Sequence, residues 1–327
     1  MTAGESGRGP HVVAGATIAV THDLITGGLV LWREVSEGLQ YSLVLAGPVV
    51  GAAAAWTAGR EARTSTTELL TSLPRPAANR DLSALGALIT WASLGYLLPA
   101  LGFLVWAAYG ARWGGRTVEL LVSGFAALLA CASLGFLVGR VAPSVVTAPL
   151  VALALYGAMG ALIIFYGASS VQWLSPLADG HIPPFYEIRP VIGVVQTAWF
   201  GALAWTFTGL LWALGSPLRR RGLMTAGVGA VLAAAAATAL LGLGSSRGEA
   251  RPLAIEQVCD HSGIVVCLHP AYRDLRPEVA PIVRRVAAPL IHAGIDVPEA
   301  RQHFYRNETL GNGTTLFSPA VVSGAVR

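Results

Sequence analysis

Two short motifs near the carboxyl-terminal end carry the side chains best suited to chemistry. Cys259 and His261 form a Cys-x-His pair, and Cys267 and His269 repeat it further along the chain. Alternate residues of a strand share one face, so all four side chains could converge on a zinc ion, which prefers thiolate and imidazole ligands. If residues 260–266 turn as a hairpin, the two cysteines face each other and could form a disulfide instead. Both interpretations require two neighbouring strands here.

The chain carries no other recognisable catalytic pattern. It has no His-Glu-x-x-His and no glycine-rich phosphate loop, and all 22 basic residues are arginine. A nucleotide-binding P-loop and a Schiff-base site both need a lysine, so neither is possible. His292, Glu299, His303 and Glu308 are interpreted as surface residues. We therefore expect a chain that is not an enzyme and binds no cofactor of its own.

Composition places the chain in a membrane. Apolar residues make up 54% and charged residues 12%, and the mean hydropathy is +0.59. Soluble domains carry about a quarter charged residues, so a polytopic membrane protein is predicted. The net charge of +4 comes mostly from arginines in the loops, which indicates membrane orientation rather than nucleic-acid binding.

The polar segment 59–80 separates two apolar runs and has the features of a cytoplasmic helix. Arginines concentrate there, as the positive-inside rule requires of a cytoplasmic loop. Thr66 can cap a helix, Leu69 and Leu70 give it an apolar face, and Pro74 ends it. A membrane protein that presents such a helix to the cytosol can pass force to a soluble partner.

This segment resembles the first cytoplasmic loop of type-two ABC exporter permeases. The pattern is Glu61, Thr66 or Thr67, Glu68-Leu69-Leu70, Ser72 and Pro74-Arg75, and residues 45–48 and 55–60 resemble permeases common in actinobacteria. In that family the loop is a coupling helix held in a groove of a separate ATPase chain. The resemblance implies eight coupling residues: Arg60, Glu61, Arg63, Thr66, Glu68, Leu69, Leu70 and Pro74. It also implies that ATP and Mg²⁺ bind the partner ATPase, and that a second copy or a homologous permease completes the pore.

Seven apolar runs are long enough to span a membrane at 1.5 Å per residue. They are residues 12–31, 42–58, 84–109, 118–138, 145–166, 191–214 and 222–243. His22 and Asp23 fall in the first run and either line a polar path or lie where that helix reaches the outer surface. Residues 32–41 are expected to be an outer loop. Residues 167–190 are either a re-entrant-like segment, as in the exporters, or a loop lying on the lipid headgroups.

Arginine positions predict the orientation. The arginines on one side are Arg8, Arg60, Arg63, Arg75, Arg80, Arg140, Arg219, Arg220 and Arg221, whereas the short loops of the other side hold Arg33, Arg112, Arg116 and Arg189. The richer side is cytoplasmic by the positive-inside rule. We therefore expect a multi-pass plasma-membrane protein with its amino terminus inside and its carboxyl-terminal part extracytoplasmic.

The predicted fold is an all-α polytopic membrane protein in three parts. Residues 1–217 form a six-helix ABC-exporter-like permease core, 218–244 a seventh transmembrane helix, and 245–327 a small α+β extracytoplasmic domain. In the seventh helix, small residues recur every fourth position at Gly222, Ala226, Ala230, Ala234, Thr238 and Gly242, which favours packing against other helices.

The carboxyl-terminal domain is predicted to have strands at 255–258 and 264–268 and a helix from Asp274, with Pro277 in its first turn. Five residues are predicted to form one apolar stripe on that helix: Val279, Ile282, Val283, Val286 and Leu290. An extracytoplasmic position permits a disulfide, so we favour the Cys259–Cys267 bridge, with zinc on Cys259, His261, Cys267 and His269 as the alternative.

Three functions fit these features. The first is the permease subunit of an ABC-type exporter, moving a substrate with ATP hydrolysed by a separate chain. The second is a membrane-anchored sensor or assembly protein whose extracytoplasmic domain binds a ligand. The third is a secondary transporter, for which only His22 and Asp23 hint at intramembrane charge.

Overall fold

The computed structural model describes residues 8–25, 32–63, 76–110, 118–166, 169–177, 186–243, 250–252, 257–262, 264–294, 299–302 and 314–317. The helices are α1 (Arg8–Ile25), α2 (Trp32–Tyr41), α3 (Leu43–Ala58), α4 (Arg60–Arg63), α5 (Ala77–Gly110), α6 (Val118–Val141), α7 (Thr147–Tyr166), α8 (Pro190–Gly215), α9 (Arg219–Gly242) and α10 (Arg276–His292). Short 3₁₀ helices cover Ser170–Leu174 and Pro270–Leu275.

Five described helices are long and apolar enough to cross a membrane. They are Val35–Ala58, which joins α2 to α3, together with α5, α6, α8 and α9. Residues Thr147–Leu162 of α7 form a shorter apolar helix. The prediction of a polytopic helical membrane protein is confirmed in this coarse form, while α1 covers most of the first predicted span without being among the five.

The predicted outer loop at residues 32–41 is wrong, because these residues form α2. Val35 and Leu39 lie four residues apart, are fully buried and pack with Ala100 and Ala107 of α5. The Ser42 hydroxyl donates to the Leu39 carbonyl at 2.7 Å, and the chain runs on into α3 with helical backbone angles. The charged residues of this segment are typical of a loop, whereas its buried face depends on contacts with α5.

Small residues allow α3 and α6 to approach closely at the centre of the bundle. A side chain at Gly135 would collide with the backbone of Gly51, and one at Gly139 with the backbone of Ala55. Phe136, between the two glycines, is 1% exposed and fills the core between the helices. Backbone contact of this kind maximises dispersion attraction where lipid gives no hydrophobic driving force.

Helices α8 and α9 form a tight antiparallel pair. A Cβ at Gly222 would lie 2.6 Å from the Ala213 nitrogen, and one at Gly209 would lie 2.7 Å from the Ala226 nitrogen. The packing predicted for the small-residue repeat therefore holds at Gly222 and Ala226, but Ala230 and the later members are exposed. The contact seam continues along α9 through Gly229, Ala233, Ala236 and Leu240.

The bundle has two ends of different charge. The turn at Gly59 lies beside Gly139, and Gly215 lies against Ala78. The ends of α3, α6 and α8 therefore meet the starts of α5 and α9, and these segments carry seven arginines: Arg60, Arg63, Arg80, Arg140, Arg219, Arg220 and Arg221. We call this the arginine end, and the opposite one, where α5 and α9 finish and α6 and α8 begin, the far end.

The carboxyl-terminal part, which we call the tail, contains a four-stranded sheet in the order β3-β4-β5-β6. The strands are β3 (Val258–Asp260), β4 (Val265–Leu268), β5 (Glu299–Gln302) and β6 (Thr314–Phe317). β3 and β4 are antiparallel, whereas β4, β5 and β6 are parallel, and α10 connects β4 to β5. A separate clasp pairs β1 (Tyr186–Ile188), just before α8, with β2 (Ala250–Pro252), after α9.

Candidate functional site

The candidate site is the base of the polar segment at the arginine end. The described chain runs through α4 to Arg63 and resumes at Pro76, immediately before α5. Of the eight predicted coupling residues, Arg60, Glu61 and Arg63 lie in α4, whereas Thr66, Glu68, Leu69, Leu70 and Pro74 lie outside the described residues. The described part of the site therefore consists of the two ends of the segment, α4 and the first turns of α5, which we call the stem.

Arg63 folds back onto α3. Its guanidinium donates to the Trp56 carbonyl at 2.6 Å and lies 4.2 Å from the centre of the Trp56 ring. The backbone turns at Gly59, where the Arg63 amide donates to the Gly59 carbonyl at 3.2 Å. A cation–π contact at an exposed site contributes about 0.5–1 kcal/mol and favours this position of Arg63 against α3.

Glu61 in α4 and Arg80 in α5 lie near opposite ends of the segment and form an ion pair. The carboxylate and guanidinium are 4.0 Å apart, and both side chains are partly exposed. An ion pair of this kind contributes at most about 1 kcal/mol. It links the two points where the segment joins the bundle.

Asp81 and Arg140 tie the same stem to the end of α6. Arg140 Nε donates to Asp81 Oδ2 at 3.0 Å, and the aspartate side chain is only 8% exposed. Arg140 lies in the last turn of α6 and Asp81 in the first turns of α5. Since Asp81 directly follows Arg80, the segment, α5 and α6 share one charged cluster.

Sequence reasoning missed the Asp81–Arg140 and Arg63–Trp56 contacts. It identified Arg140 only as one of the arginines on the cytoplasmic side. An acidic residue one position after Arg80, in a helix otherwise rich in apolar residues, was the available signal for a buried partner. A carboxylate is rarely buried at such a place unless it is paired.

At the far end, the 3₁₀ helix Ser170–Leu174 is packed into the bundle. Trp173 and Leu177 are each 2% exposed. Gln196 Nε2 of α8 donates to the Trp173 and Ser175 carbonyls at 2.9 and 3.1 Å. Trp199 Nε1, also of α8, donates to the Leu174 carbonyl at 3.3 Å. Residues 169–177 therefore cover the ends of α8 and α9, while residues 178–185 lie outside the described residues.

Polar side chains are buried between the membrane helices. Gln40 Nε2 donates to Ser123 Oγ at 3.2 Å, and both residues are at most 1% exposed. Thr208 donates to Ser133 at 3.4 Å between α8 and α6. His22 of the predicted polar pair is exposed, and the side chain of Asp23 lies outside the described residues. The interior thus offers hydrogen-bonding groups along several helices.

In the tail, Cys259 and Cys267 are opposite each other on β3 and β4 and form a disulfide. The predicted bridge is confirmed, and the zinc alternative is wrong because both thiols are used in the bridge. Its two histidines separate: His261 is exposed, whereas His269 is fully buried edge-on to Tyr272. Burial lowers the pKa of His269 to about 4, so this imidazole is neutral near pH 7.

The turn beside the disulfide is joined to α10. The Ser262 amide and hydroxyl both donate to Asp260 Oδ1, and Arg284 donates to Asp260 Oδ2 at 2.8 Å. These donors, the Ser262 amide foremost, hold the pKa of Asp260 well below its usual range. The carboxylate is therefore charged at neutral pH and fixes the orientation of α10 on the sheet.

Comparison with known proteins identifies no relative. No family model matches the chain, and neither a curated protein nor a solved structure matches it. The function must therefore be argued from the chain's own geometry.

Proposed function

We propose that this protein is the membrane subunit of an ABC-type exporter, driven by ATP that a separate ATPase chain hydrolyses. The observation that carries the proposal is the braced stem of the polar segment. Glu61 and Arg80 join its two ends, and Asp81 and Arg140 join those ends to α6. A partner that moves the segment would therefore move α3, α5 and α6 together.

The rest of the bundle supports transport. The 3₁₀ helix Ser170–Leu174 and its hydrogen bonds to Gln196 form a cover at the far end, in keeping with a re-entrant-like segment that closes a path on the outside. Buried polar groups such as Gln40 and Ser123 could face a polar cargo once the helices separate. In this proposal the chain crosses the plasma membrane seven times and pairs with a second copy or a homologous permease.

A sensor or assembly role is the second candidate, and the clasp between β1 and β2 favours it. The clasp connects the disulfide-stapled tail to the α8–α9 pair. A ligand bound by the tail could therefore act on the two membrane helices. This role needs no ATPase partner, which distinguishes it from the exporter.

The deciding experiment changes the apolar face expected on the segment. The double variant Leu69→Asp with Leu70→Asp should lose the ATPase in a pull-down of the tagged full-length chain from native membranes. Loss of a buried apolar anchor costs about 1–4 kcal/mol, or about ten- to several-hundred-fold in affinity, and a buried carboxylate costs more. The purified chain alone should not hydrolyse ATP, whereas the co-purified complex should.

The matched control is Asn79→Asp with Ser83→Asp, which adds the same charge at two exposed positions near the stem. It should keep the partner and the ATPase activity. A native chain that brings down no ATPase would contradict the exporter and favour the sensor. Wild-type capture by the Leu69/Leu70 variant would show that the segment is only a connector.

A further inference from the structure

The tail helix α10 presents its large apolar residues outward. Ile282, Val286 and Leu290 lie on one side of the helix and are 60%, 68% and 41% exposed. All three belong to the apolar stripe that the sequence predicts on this helix. We call this row the α10 stripe.

The orientation of α10 follows from what it places against the sheet. Ala280 and Ala287, which are 1% and 6% exposed, form the buried side. Arg284 is fixed to Asp260 and Ser262 of the turn after β3. A helix held by two alanines and a directed ion pair cannot rotate its larger apolar residues inward without breaking that pair.

The tail that carries the stripe begins at the far end of the bundle. β1 ends at Ile188, next to the start of α8, and β2 begins soon after α9 ends. Their pairing fixes the root of the tail at the far end of two helices that are apolar enough to cross a membrane. The tail therefore begins at a membrane surface, from which α10 can reach lipid.

The charges beside the stripe suit an anionic lipid surface. α10 contains three arginines and one glutamate, and the exposed Arg285 stands at the edge of the stripe. An apolar face bordered by arginine is typical of helices that lie in the interface, with the long side chain reaching back to the headgroups. Three large apolar side chains open to water would otherwise form an exposed patch.

We propose that α10 lies in the plane of the membrane surface, with the α10 stripe in the boundary between headgroups and acyl chains. The tail is then anchored to the bilayer at two places, the β1–β2 clasp and α10. This arrangement does not depend on whether the chain is an exporter or a sensor.

The test is spin labelling of the full-length chain in nanodiscs of phosphatidylcholine and phosphatidylglycerol. Single labels are placed at Ile282→Cys and Val286→Cys in a Cys131→Ala background, since Cys131 is the free cysteine among the described residues. His292→Cys, which is exposed on α10 outside the stripe, is the control. Collision with oxygen, which concentrates in lipid, is compared with collision with a water-soluble nickel complex.

The stripe labels should collide with oxygen more than with nickel, corresponding to immersion of about 5–10 Å, whereas the control label should favour nickel. Stripe labels that favour nickel would overturn the proposal, because the helix would stand in water. Labels immobilised and shielded from both reagents would also overturn it, since they would show a protein cover, either another part of the tail or a second copy.

Discussion

At the scale of single residues, the charge cluster at the arginine end depends on one short contact. Asp81 is 8% exposed and its partner Arg140 is 29% exposed, so water screens the pair only in part. Removing one member leaves the other with an uncompensated charge, which is costly in such a place. The neighbouring pair of Glu61 and Arg80 is longer and its carboxylate is more exposed, so it contributes less.

We expect Asp81→Asn to lower the free energy of unfolding by about 1–3 kcal/mol, less than for a fully buried pair. Arg140→Gln should act similarly, and the double variant should be less damaging than the sum of the two single variants, because neither charge is then left alone. Thermal unfolding of the purified chain in detergent measures these changes. Arg221→Gln, at an exposed position of the same end, is the control and should change little. Strict additivity would show that the two side chains do not interact.

At the scale of elements, the α8–α9 pair shows that a four-residue sequence repeat does not stay on one face of a helix. Positions four apart drift about 40° with each step on a helix of 3.6 residues per turn. Gly222 and Ala226 therefore lie in the seam, while Ala230 and Ala234 have turned out of it. Gly229 occupies the seam at the next turn, where an added Cβ would lie 2.6 Å from Thr206 Oγ1.

This seam predicts a sharp difference between two glycines of α9. Gly222→Leu should force α9 away from Ala213 and destabilise the chain by several kcal/mol, because the obstructing atoms include backbone. Gly227→Leu has open space around the added carbon and should fold normally. Yield of monodisperse protein after detergent extraction, together with its thermal midpoint, separates the two. Equal behaviour of both variants would contradict the observed packing.

The sequence predicted the features that depend on residues close together in the chain. Apolar length predicted the membrane helices, and hairpin spacing predicted the pairing of Cys259 with Cys267. Contacts between distant residues escaped prediction. Asp81 meets Arg140 across 59 residues, and α2 is buried by alanines of α5. Amphipathic spacing marked the stripe on α10 but could not tell which side meets the sheet, because two alanines and an ion pair decide it.

At the scale of the whole molecule, charge and topology together predict which side of the membrane the tail occupies. α9 begins at the arginine end with Arg219, Arg220 and Arg221, and it ends at the far end, where β2 follows. The tail is therefore attached opposite to the arginines. Since arginine-rich ends stay in the cytoplasm, the tail is expected outside, where its disulfide is stable.

Thiol labelling of intact cells tests this orientation. A membrane-impermeant maleimide should not label the native chain, because Cys259 and Cys267 are bridged and Cys131 is buried. After treatment with an impermeant phosphine, the reagent should reach both tail cysteines. As a control, Arg221→Cys in a chain with Cys259→Ser and Cys267→Ser places a thiol at the exposed arginine end, and it should be labelled only after the cells are opened. Tail cysteines that stay unlabelled until lysis, whatever the reductant, would place the tail in the cytoplasm and reverse the orientation of the bundle.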